Sequence, residues 1–283
     1  MAPELPDRFH PVAWFGAAMG RTESLVWADR RSAGVAYTTA GLGLGAAAGA
    51  ALRVLLGAGP ATAAAVAVAA AGAQLRRTAT GIGRSAAAGD LDAARADLPA
   101  LVGRDPSRLD RSGVAAAVIE SVAENTVDGV AGPVVWALVA GAPGALAYRA
   151  VNTMDAMVGH RSSRYARFGW ASARLDDAAN LVPARLVGVL TALAVPGRAR
   201  EVATTVRADA GAHPSPNAGV AEAAMAGVLG RRLGGPLRYG DRLDVRPTLG
   251  SGPRPEPADA ARAVAVTDRV EWMLTAGLAA VWL

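Results

Sequence analysis

The sequence has no cysteine and no lysine, and all 29 of its basic residues are arginine. Without cysteine there is no disulfide, no thiolate nucleophile, no Cys-ligated zinc and no iron–sulfur cluster. Without lysine there is no Walker-type phosphate loop and no Schiff-base chemistry. Histidine is scarce too: only His10, His160 and His213 exist, so a three-His metal site would consume them all. Aromatic residues make up 5% and charged residues 19% of the 283 positions, while 52% are hydrophobic. So apolar a composition argues against disorder. The net charge of +5 suits arginine-rich loops beside a membrane, and the long apolar runs set aside a nucleic-acid partner.

Those runs organise the chain. Met1–Gly20 carries acids and prolines before any apolar stretch, which is a poor signal peptide. Trp14, Phe15 and Trp27 sit on an amphipathic helix. Ala33–Gly59 is rich in Gly and Ala with one charge, Arg53, and is long enough for a span. Gly41, Gly45 and Gly49 recur every fourth residue on one helix face, spacing that lets helix backbones approach closely. A turn at Gly57–Pro60 leads into a second apolar run, Ala61–Leu75. After a polar stretch, with an Asp90 cap opening a helix, come a helix over Val114–Val127 and an apolar segment, Asp128–Val151, interrupted by Pro133 and Pro143. Leu181–Val195 and Val270–Leu283 are the last apolar runs, the latter bracketed by Trp272 and Trp282. No strand alternation stands out. The pattern predicts an all-α, multi-pass integral membrane protein with about four to five membrane segments. It forms a single domain over 1–283, with hydrophilic loops at about 76–112, 161–180 and 196–268.

The chemistry is concentrated in polar residues where apolar ones are expected. Glu120, Glu124 and Asp128 stand at i, i+4 and i+8. Each step of four advances a helix by about 40°, so the three carboxylates share a face. Like charges so placed repel, and arginine or Mg²⁺, which prefers oxygen ligands, would relieve them. Arg149 follows a long apolar run and is spaced i, i+3 with Asn152, as Asn152 is with Asp155. Arg149 can neutralise an acid or grip a phosphate or carboxylate. Met154 and Met157 read as packing. Arg161, Arg164 and Arg167, followed by Arg174, Asp176, Asp177 and Asn180, suit a polyphosphate with its Mg²⁺, or the cytoplasmic side of a membrane. The last three precede Pro183 and read as lying near a helix start, where Asp also caps. His213-Pro214-Ser215-Pro216-Asn217 is a rigid loop that opens a helix reaching Glu222.

Five blocks carry a resemblance. They are HPVAWFG at His10–Gly16, ESVAENTVDG at Glu120–Gly129, AYRAVNTMDAMVGH at Ala147–His160, RYARFGWASARLDDAANLVPARL at Arg164–Leu186, and HPSPNAGVAEAAMAG at His213–Gly227. In this order and spanning nearly the whole chain, they resemble the CobD/CbiB family of cobalamin biosynthesis, the adenosylcobinamide-phosphate synthases. The resemblance implies a multi-pass protein of the cytoplasmic membrane, with other corrin-pathway membrane enzymes as partners. It implies an amide ligase that joins a carboxylate of adenosylcobyric acid to (R)-1-amino-2-propanol or its O-phosphate, with ATP and Mg²⁺. Mapped onto that reaction, Glu120, Glu124, Asp128, Asp155 and His160 are the expected catalytic residues. Asn125, Arg149, Asn152, Arg174, Asn180, His213 and Asn217 would bind substrate or phosphate, and Glu124, Asp128, Asp176 and Asp177 would be Mg²⁺ ligands. A Mg²⁺-dependent intramembrane transferase acting on a diphosphate is the competing enzyme reading. A transporter or scaffold of the corrin pathway is the non-enzymatic one.

Overall fold

A computed structural model describes residues 10–103, 105–160, 162–239 and 242–282. Twelve α-helices run through them: α1 (Pro11–Val26), α2 (Arg31–Leu56), α3 (Ala58–Ala69), α4 (Gly72–Ala87), α5 (Leu91–Asp97), α6 (Arg111–Thr126), α7 (Gly132–Met154), α8 (Trp170–Ala179), α9 (Leu181–Ala194), α10 (Ala199–Asp209), α11 (Ala218–Leu229) and α12 (Pro257–Trp282). Two π-helical segments, Val127–Ala131 and Asp155–Gly159, follow α6 and α7. The expected helical class holds.

The chain divides into two compact units, each discontinuous in sequence: 1–70, 132–180 and 276–283 in the first, 71–131 and 181–275 in the second. In the first unit, α2 lies against α7 along the glycine stripe foreseen from the sequence. A Cβ at Gly45 would stand 2.7 Å from the carbonyl oxygen of Leu146, and one at Gly49 2.5 Å from that of Ala142. Each glycine costs a helix about 1 kcal/mol relative to alanine, and here the close backbone approach offsets that cost. Gly57, at φ +81°, makes the tight turn from α2 into α3 that the sequence also placed there. Met19, Tyr37, Met154 and Phe168 form one buried cluster of this unit, so Met154 packs, as its residue type suggests. Alanines of α3 and α7 (Ala61, Ala65, Ala137, Ala142, Ala145) form another.

The second unit corrects the sequence reading in two places. The stretch 196–268 is no loop: it holds α10, α11, most of the first half of α12 and an antiparallel hairpin of β1 (Leu233–Tyr239) and β2 (Arg242–Leu249). The hairpin escaped notice because Gly234, Gly235, Pro236 and Pro247 interrupt its alternation, which is the signal that marks a strand. The stretch 76–112 likewise carries most of α4 and all of α5, with Asp90 Oδ1 accepting from Ala93 N at 3.0 Å as the expected cap.

Three helical runs are long and apolar enough to cross a membrane: Arg31–Leu56, Ala58–Ala87 and Arg111–Gly159. A fourth is present if α8 and α9 count as one bent span. The run Val270–Leu283, expected as a membrane segment, lies in α12 as far as Trp282, the last described residue; α12 is not among these runs, and Asp268, Arg269 and Glu271 put charge at the start of that stretch.

Candidate functional site

The expected site residues fall into two groups, one in each unit. In the first unit, α7 and α8 carry a chain of hydrogen bonds. Tyr148 Oη donates to Asn180 Oδ1 at 2.7 Å, and Asn180 Nδ2 donates to Asp176 Oδ2 at 3.0 Å. Asn152 Nδ2 donates to Asp176 Oδ1 at 3.4 Å, and Arg149 Nη1 donates to Asn152 Oδ1 at 3.2 Å. Asp176 and Asn180 are buried, where a polar group needs partners. Four expected residues are therefore brought together, with Tyr148 added. Tyr148 carried no signal of its own in the sequence, because it stands inside the apolar segment Asp128–Val151. Asp176 and Asp177 lie in the last turn of α8 and Asn180 follows it, directly before α9 starts at Leu181, so the expected helix start is there, with the end of α8 running up to it. Asp177 turns outward to an exposed i, i+3 pair with Arg174 at 3.4 Å.

Asp155 lies in the second π segment, and its Oδ1 fills the space that a side chain at Gly159 would take. His160 is exposed and set edge-on to the Tyr165 ring, 4.9 Å between centroids. The arginine-rich loop after it is more structural than the polyphosphate reading supposes. Arg164 donates to Glu23 Oε1 at 2.9 Å and stacks over Trp27, and Arg167 pairs with Asp29 at 3.6 Å. Arg161 lies outside the described residues.

In the second unit, the helical spacing puts Glu120 and Glu124 on one face of α6, where both line a cavity of about 110 Å³ with Ser121, Glu222 and Arg246. Asp128 does not line it. It falls in the first π segment, whose i→i+5 turn breaks the four-residue periodicity. Glu120 is buried and accepts from Gly234 N at 2.8 Å, Glu124 is exposed and Asp128 half-buried. Asn125 folds back onto its own helix, its Nδ2 donating to the Ser121 carbonyl at 2.9 Å.

The His213–Glu222 block supplies the other wall. Glu222 is 1% exposed. His213 Nε2 faces its Oε1 at 3.7 Å, and Arg246 Nη1 stands 3.9 Å from the same oxygen. These are ion-pair separations, too long for hydrogen bonds. His213 Nδ1 stands 3.0 Å from Ser215 N and 3.2 Å from the Ser215 carbonyl oxygen, so it accepts from the one or donates to the other according to the tautomer. Ser215 Oγ, not Asn217, accepts from the first amides of α11, while Asn217 Oδ1 accepts from Arg185 Nη1 at 2.8 Å. Glu222 and Arg246 were missed as site residues. An acid inside the apolar run Gly219–Leu229 was a legible signal, of the same kind that marks Glu120; Arg246 belongs to the unforeseen hairpin. On its other side, His213 borders a cavity of about 800 Å³ between α9, α10 and α11, with Arg185 and Arg207 among its mostly apolar lining.

Burial pushes the His213 pKa below the ordinary histidine value, with the Arg246 charge acting in the same direction. The folded protein thus takes up a proton less readily than the unfolded chain. The stability this contributes is complete above about pH 6.5 and is lost as pH falls through the folded value. His213→Gln should flatten this acid-side loss. Comparing melting temperatures at pH 7.5 and 5.5 checks it: an equal acid shift in wild type and variant would refute the assignment.

Among the described residues, no three His, Asp or Glu side chains gather into a group that could hold a metal ion. An all-protein cage is therefore not formed there. Mg²⁺ commonly needs only one or two carboxylates, with phosphate and water oxygens completing its shell, and Glu124 and Asp128 offer such oxygens at accessible positions. The second unit thus combines buried acid, histidine and arginine beside a large and a small cavity.

The described residues thus define a helical protein with three or four runs long and apolar enough to cross a membrane and with buried carboxylates next to cavities. The CobD/Cbib protein family model matches residues 1–267, and the chain belongs to this family of cobalamin biosynthesis. The cobalamin biosynthesis protein CobD of Mycobacterium tuberculosis (strain H37Rv) is 47% identical over 272 residues, 94% of this chain and 87% of the relative. That of Rhodobacter capsulatus is 56% identical over 183 residues, 64% of this chain and 58% of the relative. That of Rhizobium meliloti is 46% identical over 209 residues, 72% and 60% of the two chains. No solved structure matches the chain significantly.

Proposed function

We propose that the protein is the ATP-dependent amide ligase of cobalamin biosynthesis, seated in the cytoplasmic membrane. It joins a carboxylate of adenosylcobyric acid to (R)-1-amino-2-propanol or its O-phosphate, giving adenosylcobinamide or its phosphate. The observation that carries this reading is the family match over residues 1–267.

The chemistry explains why the site needs both acids and arginines. A carboxylate is a poor acyl donor because oxide is a poor leaving group; phosphorylation makes it an acyl phosphate that an amine can attack. Mg²⁺–ATP supplies the phosphoryl group and offsets its charge. Asp128, which lies outside the small cavity's lining, is the residue that would hold the ion, with phosphate and water oxygens completing its shell. With no lysine in the chain, arginine is the permanently charged side chain left to meet phosphate oxygens, and in the second unit Arg185, Arg207 and Arg246 border the two cavities. Carboxylates near the amine take its protons. The cavity of about 800 Å³ has room for a large ligand, and its apolar lining with Arg185 and Arg207 suits a macrocycle that bears a carboxylate.

Purified full-length protein, reconstituted with adenosylcobyric acid, either amine, ATP and Mg²⁺, should yield a product of the cobinamide or cobinamide-phosphate mass, with ADP released in step. No product with either amine would overturn the proposal, and product formed without ATP would overturn the ligase mechanism.

A further inference from the structure

The small cavity of the second unit has a composition that the fold alone does not require. Three carboxylic side chains, Glu120, Glu124 and Glu222, share it with one guanidinium, Arg246, and the Ser121 hydroxyl. Glu120 and Glu222 are buried, and burying charge is costly unless it is matched. Gly234 N meets one oxygen of Glu120. On the Glu222 side stands His213, whose side chain is 5% exposed and whose Nε2 makes no hydrogen bond and faces Glu222 Oε1 at 3.7 Å.

Size narrows the ligand. A volume of about 110 Å³ is roughly the share of four waters in the liquid. That suits a molecule of about five heavy atoms and excludes a nucleotide or a macrocycle. Charge narrows it further: carboxylates on several sides favour an ammonium, and a single guanidinium beside them favours an oxygen-bearing end.

We propose that this cavity is the amine subsite. It takes a short aminoalcohol with the ammonium among Glu120, Glu124 and Glu222 and the oxygen end toward Arg246. This rests on the ligase reading above. Glu222 is placed to accept one proton from the ammonium, so that R–NH3⁺ and the carboxylate become R–NH2 and the carboxylic acid. His213 has Nδ1 engaged by Ser215 and Nε2 directed at Glu222, so it is a positioning residue for that carboxylate. A phosphorylated amine exceeds this volume by its phosphate, which would project out of the cavity past the partly exposed Arg246 side chain.

Steady-state kinetics of the reconstituted full-length protein tests the assignment, with each substrate varied in turn. Glu124→Gln, at an exposed position that tolerates the change, should raise KM for the amine at least tenfold while KM for ATP and adenosylcobyric acid stays within twofold. Arg246→Ala should raise KM for aminopropanol phosphate more than KM for aminopropanol. His213→Gln should lower kcat and shift its pH profile, with the amine KM little changed. Glu222→Gln should abolish turnover, with its melting temperature recorded to separate misfolding from lost chemistry. An active wild type whose Glu124→Gln and Arg246→Ala variants keep the amine KM within twofold would sink the subsite and leave the ligase reading standing. A wild type inactive with both amines would sink the ligase reading itself.

Discussion

Asp176→Asn should destabilise the protein although the two side chains have nearly the same shape. Both oxygens of Asp176 accept from amide nitrogens, Asn180 Nδ2 at 3.0 Å and Asn152 Nδ2 at 3.4 Å. An asparagine offers one oxygen, so one partner would then face a donor with a donor. Asp176→Ala removes both acceptors and leaves two donors to find partners where Asn180 is 1% exposed. Each unsatisfied buried donor costs about 1–3 kcal/mol, so about 2–6 kcal/mol is expected for alanine and about half of that for asparagine. Its sequence neighbour is the control. Asp177 pairs with Arg174 at an exposed position, and Asp177→Asn should stay within about 0.5 kcal/mol. Thermal melting of the protein in detergent distinguishes them; an Asp176→Asn variant that melts like wild type would show that the network carries no such demand.

Two glycines of α2 should respond to alanine with opposite signs. A Cβ at Gly34 would fall onto the carbonyl oxygen of Phe168 and lie 2.8 Å from its carbon. Backbone atoms cannot rotate away, so α2 and the Phe168 segment must part. Overpacking of this kind costs about 1–3 kcal/mol. One turn further along α2, the buried Thr38–Ser172 hydrogen bond of 2.8 Å and the Tyr37–Phe168 ring pair at 5.1 Å would loosen with it, adding about 1 kcal/mol for the bond. A Cβ at Gly43 meets nothing within 4 Å. Gly43→Ala should therefore stabilise the helix by roughly 0.5–1 kcal/mol. Melting temperatures of the two variants moving in the same direction would contradict the packing of α2.

What the sequence made legible follows from which signals are local. The glycine stripe on α2, the turn at Gly57, the Asp90 cap and the pairing of Glu120 with Glu124 on one face all depend on spacing within one helix, and all are found. Arg149, Asn152, Asp176 and Asn180 stood out because polar groups in apolar surroundings need partners, and they turn out to be partners of one another. What stayed hidden depends on distant segments. Arg164 and Arg167 read as free cations until Glu23 and Asp29 are seen beside them, about 140 residues away in sequence. Arg246 meets Glu222 only through a hairpin broken by glycine and proline. Asp128 left the expected face because the helix widens there, and apolar spacing does not announce a π turn.

The discontinuity of the two units bears on how the protein is made. Counting along the chain, the polypeptide passes from one unit to the other four times, after residues 70, 131, 180 and 275. The first unit thus lacks its closing segment until 276–283 has been synthesised, so it cannot finish folding while most of the second is still emerging from the ribosome. Leu278, within that segment, packs against the alanine cluster of α3 and α7. During synthesis α2, α3 and α7 can pack on one another, but the part of the alanine cluster that Leu278 covers stays open until that segment arrives. The membrane, or a chaperone, shelters it in the interval.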